Sequence, residues 1–235
     1  KHPLTGQPLK PSGIHHANPM NPHDNSTVAG YDLTFTMPKD LSILMETCLP
    51  RMREQLRALW DRSVSRSLEQ WERQCAYTRT GRGGGMRMKV QGVAGQAYTH
   101  YTNREGEAHW HTHVAISNMV ACPDGKIRSL DGRLAYANAG AISEKSTHIF
   151  LQSVATSLGL VPERKTSMDG HKSVWGIRGV TDQIITATSS RRARLLAKEE
   201  QLIRQWQDAH PGERMGVKLR RMIDRQAWAA TRKAK

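Results

Sequence analysis

The chain is poor in cysteine, poor in acidic residues, and without a long apolar run. Cys48, Cys75 and Cys122 are its three cysteines in 235 residues. They are odd in number and widely spaced, which fits neither a disulfide framework nor a CxxC metal pair, so a reducing cytoplasm is the simplest setting. Any metal must then be carried by other side chains, the histidines first. No apolar stretch approaches the roughly 20 residues of a membrane-spanning helix, and no signal-peptide pattern opens the chain, so no membrane insertion is expected. The first residue is Lys1 rather than methionine, and the opening reads like the middle of a loop, as in a fragment or a processed chain.

The acid deficit is large. Asp and Glu number 21 against 35 Lys and Arg, giving a formal net charge of +14 and a pI near 10.1. Such an excess favours a polyanionic partner, and nucleic acid is the commonest one inside a cell. The excess is uneven: residues 191–235 hold 13 Lys/Arg and 5 Asp/Glu. A basic helical tail is also a soluble face, so charge alone does not name the partner.

What the chain does have is histidine in one place. Four of the eleven fall within Tyr98-Thr99-His100-Tyr101 and His109-Trp110-His111-Thr112-His113-Val114-Ala115-Ile116. His109, His111 and His113 alternate along an apolar, β-branched run, so a strand puts all three on one face. His100 precedes a polar segment, Asn103-Arg104-Glu105-Gly106, of the kind that connects a hairpin. A lone strand histidine is usually a hydrogen-bonded core or surface residue. Several neutral imidazoles aimed at one spot suit a borderline divalent cation and leave coordination positions open.

Around this stretch the pattern is α+β, a central, mostly antiparallel sheet with helices packed on it. Residues 1–29 are rich in Pro, Gly, Asn and His and read as an N-terminal loop or strap, with His2, His15, His16 and His23 following no ligand spacing. Gly30–Met37 alternates as a strand, and Asp40 is placed to cap the next helix. Pro50 breaks the pattern or opens a second helix, after which Met52, Leu56, Leu59, Trp60, Leu68, Trp71 and Cys75 form a buried stripe at helical spacing, with arginines behind. Residues 78–89 form a glycine-rich basic hairpin or loop, with Arg79, Arg82, Arg87 and Lys89 suited to a phosphate backbone. It lacks the Gly-Lys-Ser/Thr ending of a Walker loop. A long strand is expected from Val90 to Tyr101, with Gly92 and Gly95 marking bulges or close backbone approach. The histidine strand, a Pro123-Asp124-Gly125 turn and a short return strand Lys126–Leu130 follow. Residues 133–159 read as a helix with Ile142, Ile149, Phe150 and Val154 in the core. A strand over Lys172–Gly179 precedes a basic helical segment starting at Thr181 and interrupted near Pro211-Gly212. The expected division is 1–29, a domain over 30–205, and a basic helical extension over 206–235, with no repeats and no linker inside 30–190.

Two segments resemble a known family. Gly30-Tyr31-Asp32-Leu33-Thr34-Phe35-Thr36-Met37-Pro38-Lys39-Asp40-Leu41-Ser42 resembles the G-[FLY]-D-L-T-F-S-x-P-K-S-V-S segment of MobF conjugative relaxases of the TrwC/TraI type. His100-x10-His111-Thr112-His113-Val114-Ala115-Ile116-Ser117-Asn118 resembles their H-x10-H-T-H-[AV]-V-[IV]-x-N metal motif. Order and spacing match, and the likeness covers about residues 1–205. It implies an HUH-type endonuclease fold in which a tyrosine attacks one strand of a plasmid transfer origin, leaving a 5′-phosphotyrosyl link and a free 3′-OH. It further implies a divalent metal (Mg²⁺, Mn²⁺ or Zn²⁺) on His100, His111 and His113, and Asp32 as the acidic partner of the triad. His109 matches no family ligand. The implied partners are single-stranded and hairpin origin DNA together with other relaxosome proteins, in the bacterial cytoplasm.

Arg104 and the 79–89 segment are the candidate DNA-backbone contacts, and Trp110 and Tyr101 the candidate base-stacking platforms. One departure stands out. The family's attacking tyrosines lie upstream of the Asp-Leu-Thr-Phe strand, and this sequence has no tyrosine before Tyr31. Tyr31, Tyr77, Tyr98 and Tyr101 occupy positions that the family does not use for attack; Tyr136 is kept in reserve because other HUH enzymes place the nucleophile on a helix after the histidine motif. Two other classes compete: a catalytically incomplete DNA-binding module, and a cupin-like metalloenzyme acting on a small molecule. The second of these explains the imidazoles but neither the charge nor the first motif.

Overall fold

A computed structural model describes residues 28–168, 170 and 173–231. The expected N-terminal loop, with its four histidines, lies outside them but for residues 28 and 29.

Alternation of apolar residues in Gly30–Thr36 makes β1, with Tyr31, Leu33 and Phe35 buried and the residues between them exposed. It is followed by α1 (Lys39–Thr47), α2 (Pro50–Cys75), β2 (Tyr77–Thr80), a 3-10 turn (Arg82–Gly84) and β3 (Met86–Lys89). Next come β4 (Gly95–Thr102), β5 (Ala108–Ser117), β6 (Met119–Ala121), β7 (Ile127–Ser129) and α3 (Gly132–Leu158). The last elements are β8 (Pro162–Thr166), β9 (Ser173–Ile177), α4 (Asp182–Ala187), α5 (Ser190–Ala209) and α6 (Val217–Ala230). The central sheet has the order β1-β5-β4, and three two-stranded antiparallel ribbons pair β2 with β3, β6 with β7 and β8 with β9. The fold is therefore α+β with antiparallel sheets.

The described residues cluster into two compact units, through both of which β4 and β5 run. The first contains residues 28–36, 57–99 and 111–150. Its core joins the inner face of the sheet (Leu33, Phe35, Val114, Ile116) to Trp60, Trp71 and Phe150 from α2 and α3. Trp60 and Phe150 meet edge-on with centroids 5.2 Å apart, a favoured aromatic geometry. The buried stripe of α2 also includes Ser63 and Ser67, whose hydroxyls donate to the Trp60 and Ser63 carbonyls at 2.7 and 2.8 Å. They occupy core positions because each satisfies its own polar atom within the helix. Met52 and Leu68, expected on that stripe, are only half-buried. The strand expected from Val90 begins at Gly95 instead. There a Cβ would meet the Ala115 carbonyl oxygen at 2.8 Å, so glycine permits the close approach of two strands.

The second unit contains residues 37–56, 100–110 and 151–231 of the described chain. Here Asp40 differs from expectation. The N-cap of α1 is Pro38, and no side chain caps it. Asp40, 2% exposed, accepts from the Leu41 N–H at 2.8 Å and the Ile177 N–H at 2.5 Å, and pairs with Lys165 at 3.3 Å. It therefore ties α1 to the β8–β9 ribbon. Gly176 fits against it, since a Cβ there would collide with the Asp40 carboxylate. Breaking a buried, hydrogen-bonded ion pair from one side is costly because the partner charge stays buried. Asp40→Ala is expected to destabilise the fold by about 3 kcal/mol, measured by urea unfolding. An unchanged midpoint would show that Asp40 does not anchor the ribbon.

Candidate functional site

The geometry of the histidines follows from strand alternation. In β5, Trp110, Thr112, Val114 and Ile116 point into the core, so His111 and His113 point to the open face. β1 pairs antiparallel with β5, placing Thr36 opposite His111, Thr34 opposite His113 and Asp32 opposite Ala115. Asp32 is thus the diagonal neighbour of His113, and its two carboxylate oxygens lie 3.0 and 2.8 Å from His113 Nδ1. The Thr34 hydroxyl lies 3.2 Å from the same nitrogen. The His111 and His113 rings are 5.1 Å apart, nearly perpendicular. On the β4–β5 hairpin, one ring nitrogen from each of His100, His111 and His113 falls within 4.8 Å of the others. His109 shares the strand parity but stands outside this group.

These residues fit a metal chemically. A carboxylate can only accept, so Asp32 holds the proton of His113 on Nδ1 and leaves the Nε2 lone pair available. That carboxylate–histidine arrangement is the usual outer support of a metal-binding imidazole. The set of three nitrogens suits a divalent cation with open positions.

Buried polar contacts hold the strands. Trp60 Nε1 donates to the Thr112 hydroxyl at 2.9 Å, and Thr112 lies 3.0 Å from the Thr99 hydroxyl. At the hairpin end, Ser42 Oγ accepts the Trp110 N–H at 3.1 Å, and Trp110 Nε1 donates to Glu46 at 2.7 Å. Lys39 donates to the carbonyls of Ala108 and Thr188 at 2.7 and 2.5 Å. Burial pushes the Lys39 amine down, and nearby Glu107 opposes that shift. The turn is closed by Asn103, which accepts from the Glu105 and Glu107 N–H groups, while Arg194 pairs with Glu105 at 2.6 Å. Nothing in the sequence singles out Glu107, Glu105 or Arg194, because the partners that tie the turn to α5, Ser190 and Arg194, are distant in the chain.

Of the basic candidates, Arg79 and Arg87 both approach the buried Asp131 carboxylate, at 3.2 and 3.7 Å. Lys89 donates to the Arg73 carbonyl at 2.5 Å and lies over the Tyr77 ring. Arg82 is exposed at the β2–β3 tip and Arg104 is exposed in the β4–β5 turn. The aromatic candidates sort by face. Trp110 is only 4% exposed, and Tyr101 packs against it at 4.4 Å on the core side of the strands. Neither lies on the histidine face. Tyr136 meets Tyr31 edge-on at 5.6 Å, and Tyr31 is on the buried side of β1, opposite Asp32. Burial, then Tyr136 and Asp131, push the Tyr31 phenol up. Both tyrosines therefore belong to the far side of the sheet from the histidines.

An antiparallel sheet carrying a histidine cluster on its open face, with helices on the other, defines the structural class. The chain belongs to the TrwC relaxase family, whose model matches residues 1–235. Among solved structures it is similar to the conjugative relaxase TrwC in complex with oriT DNA in metal-bound form, with a TM-score of 0.63 and 22% identity over 85% of this chain and 64% of that one. A copper-bound TrwC–oriT complex gives 0.63 and 22% over 88% and 66%. TrwC with a 27-mer DNA comprising the recognition hairpin and cleavage site gives 0.63 and 23% over 88% and 67%. At such identity the likeness is one of fold, and the chain spans about two thirds of the length of these relatives. No curated protein matches the sequence.

The hairpin end also generates a pH dependence. Burial raises the Glu107 carboxyl, but hydrogen bonds from Asn103 and Ser190 and the charge of Lys39 outweigh it and hold the group below its ordinary 4.5. A carboxyl lowered on folding contributes stability that is present above its unfolded pKa and lost as pH falls through the folded one. The urea midpoints of the unmodified chain and Glu107→Gln should therefore differ near neutrality and converge between about pH 5 and about pH 3. A gap that widens on acidification would refute this assignment.

Proposed function

We propose that this chain is the DNA-nicking domain of a conjugative relaxase, acting on single-stranded origin-of-transfer DNA in the bacterial cytoplasm. The observation that carries the reading is the convergence of His100, His111 and His113 beside Asp32 in a member of the TrwC relaxase family. His100, His111 and His113 would hold a divalent ion, Mg²⁺, Mn²⁺ or Zn²⁺, of which three imidazole nitrogens favour Zn²⁺. Such an ion supplies Lewis-acid polarisation of a scissile phosphate, whose oxygens gain negative charge during attack.

The residues around the triad support that attack. Asp32 keeps the His113 ring in the tautomer and orientation that point Nε2 away from it. A carboxylate on this face is also placed to take the proton of an attacking phenol. Transesterification joins the phenol oxygen to phosphorus, breaks the bond to the 3′-oxygen and leaves that oxygen as a hydroxyl. The family resemblance puts the attacking tyrosine upstream of β1, where this sequence carries no tyrosine. Arg79, Arg82, Arg87, Lys89 and Arg104 contact the DNA backbone in this reading, with Asp131 holding Arg79 and Arg87, which pair with each other next to the turn of the hairpin. Other relaxosome proteins are the further partners proposed. Among the described residues no helix is long and apolar enough to cross a membrane.

The test uses the native gene product and a supercoiled plasmid carrying its transfer origin. Nicking of one strand is expected, with protein left on the 5′ end, and replacing both His111 and His113 by Ala should reduce it at least about 100-fold and lower the bound metal measured by elemental analysis. Full nicking by the double variant would remove the triad from the mechanism. Binding of the origin strand without nicking by the native product would favour a DNA-binding module instead. Single-strand affinity should also fall steeply with salt, as phosphate contacts require.

A further inference from the structure

Tyr98 is the aromatic residue that the sequence reading passed over and the sheet places on the histidine face. Two contacts set the register of β4 against β5: the Ser117 N–H donates to the Ala94 carbonyl at 2.8 Å, and the Thr99 and Thr112 hydroxyls lie 3.0 Å apart. Both put Tyr98 directly across from His113 in the antiparallel pair. Thr99 shares the core side with Thr112, so its neighbour Tyr98 projects to the opposite side, the face of Asp32 and His113. Tyr98 is 48% exposed, and among the described residues its side chain has no ring or hydrogen-bond partner. Directly opposed residues of antiparallel strands have Cα atoms about 4.5–5.5 Å apart, within reach of an aromatic ring and whatever the facing histidine holds.

A large, half-exposed ring beside a polar cluster has apolar surface that nothing among the described residues covers. An unpaired nucleobase presents a flat face of matching chemistry, and stacking on aromatic side chains is how single strands are commonly held without sequence readout. We propose that Tyr98 is the base-stacking platform of this site, gripping the unpaired nucleobase next to the phosphate seated at the histidines. This rests on the relaxase reading of the same site. The role needs the ring and not the hydroxyl, which separates it from a nucleophile or a proton carrier.

The experiment is fluorescence anisotropy with a labelled single strand of the cognate transfer origin spanning the nick, and the same strand with one abasic nucleotide moved stepwise past the nick. Tyr98→Ala is expected to weaken binding about tenfold, and Tyr98→Phe by less than about twofold. At one position beside the scissile phosphate, the abasic strand should weaken the unmodified chain about as much and add nothing further to Tyr98→Ala, the non-additivity of a direct contact. Metal content should be the same in all three proteins. Unchanged affinity in Tyr98→Ala overturns the proposal, as do additive losses at every abasic position or an equal loss in Tyr98→Phe. Should Tyr98→Ala fail to fold, Tyr98→Leu, apolar but not planar, carries the same test. If the unmodified chain does not bind the intact strand, the relaxase reading falls first, and the Tyr98 proposal with it.

Discussion

Everything at the site depends on the two-residue alternation of β5. Trp110, Thr112, Val114 and Ile116 anchor one side of that strand in the core, and His111 and His113 are carried out on the other. A slip of one residue would bury the imidazoles and expose the indole, so the apolar set specifies the position of the polar one. The indole N–H of Trp60 donating to Thr112 adds direction to that register: it binds the residue between the two histidines to α2, on the side away from the site. The cluster is held from behind by groups that never touch what it binds.

The first family motif divides into two jobs at the end of β1. Its strand half supplies Asp32 and Thr34 to the His113 ring. Its helix half supplies Lys39, Asp40 and Ser42, which look like surface or capping residues in the sequence and instead bind distant backbone groups: the Ala108 and Thr188 carbonyls, the Ile177 N–H and the Trp110 N–H. A run of thirteen residues thus reaches the histidine cluster with one face of a strand and supports distant backbone with one turn of a helix. The basic β2–β3 hairpin shows a similar division. Asp131 draws in Arg79 and Arg87, the pair next to the glycine-rich turn, while Arg82 stands in that turn. The planar fork of arginine suits it to such carboxylate pairing.

The sequence by itself determined the elements with a strong period and the metal-type cluster. β1, α2, α3 and the histidine strand carry alternating or helical apolar patterns, and the spacing of His100, His111 and His113 needs only a hairpin to converge. These are local properties, decided within one strand or one turn. What only the tertiary structure decided are matters of partner and face. The β8 strand, Pro-Glu-Arg-Lys-Thr, has no apolar alternation and exists because it pairs with β9. Asp40 reads as a cap until a backbone N–H 137 residues away claims its carboxylate. Tyr101 and Tyr98, three positions apart on β4, are equivalent in the sequence. Only pairing with β5 turns the first toward Trp110 in the core and leaves the second beside the histidines, because the parity of a strand acquires an inside and an outside only when another layer covers one of its faces.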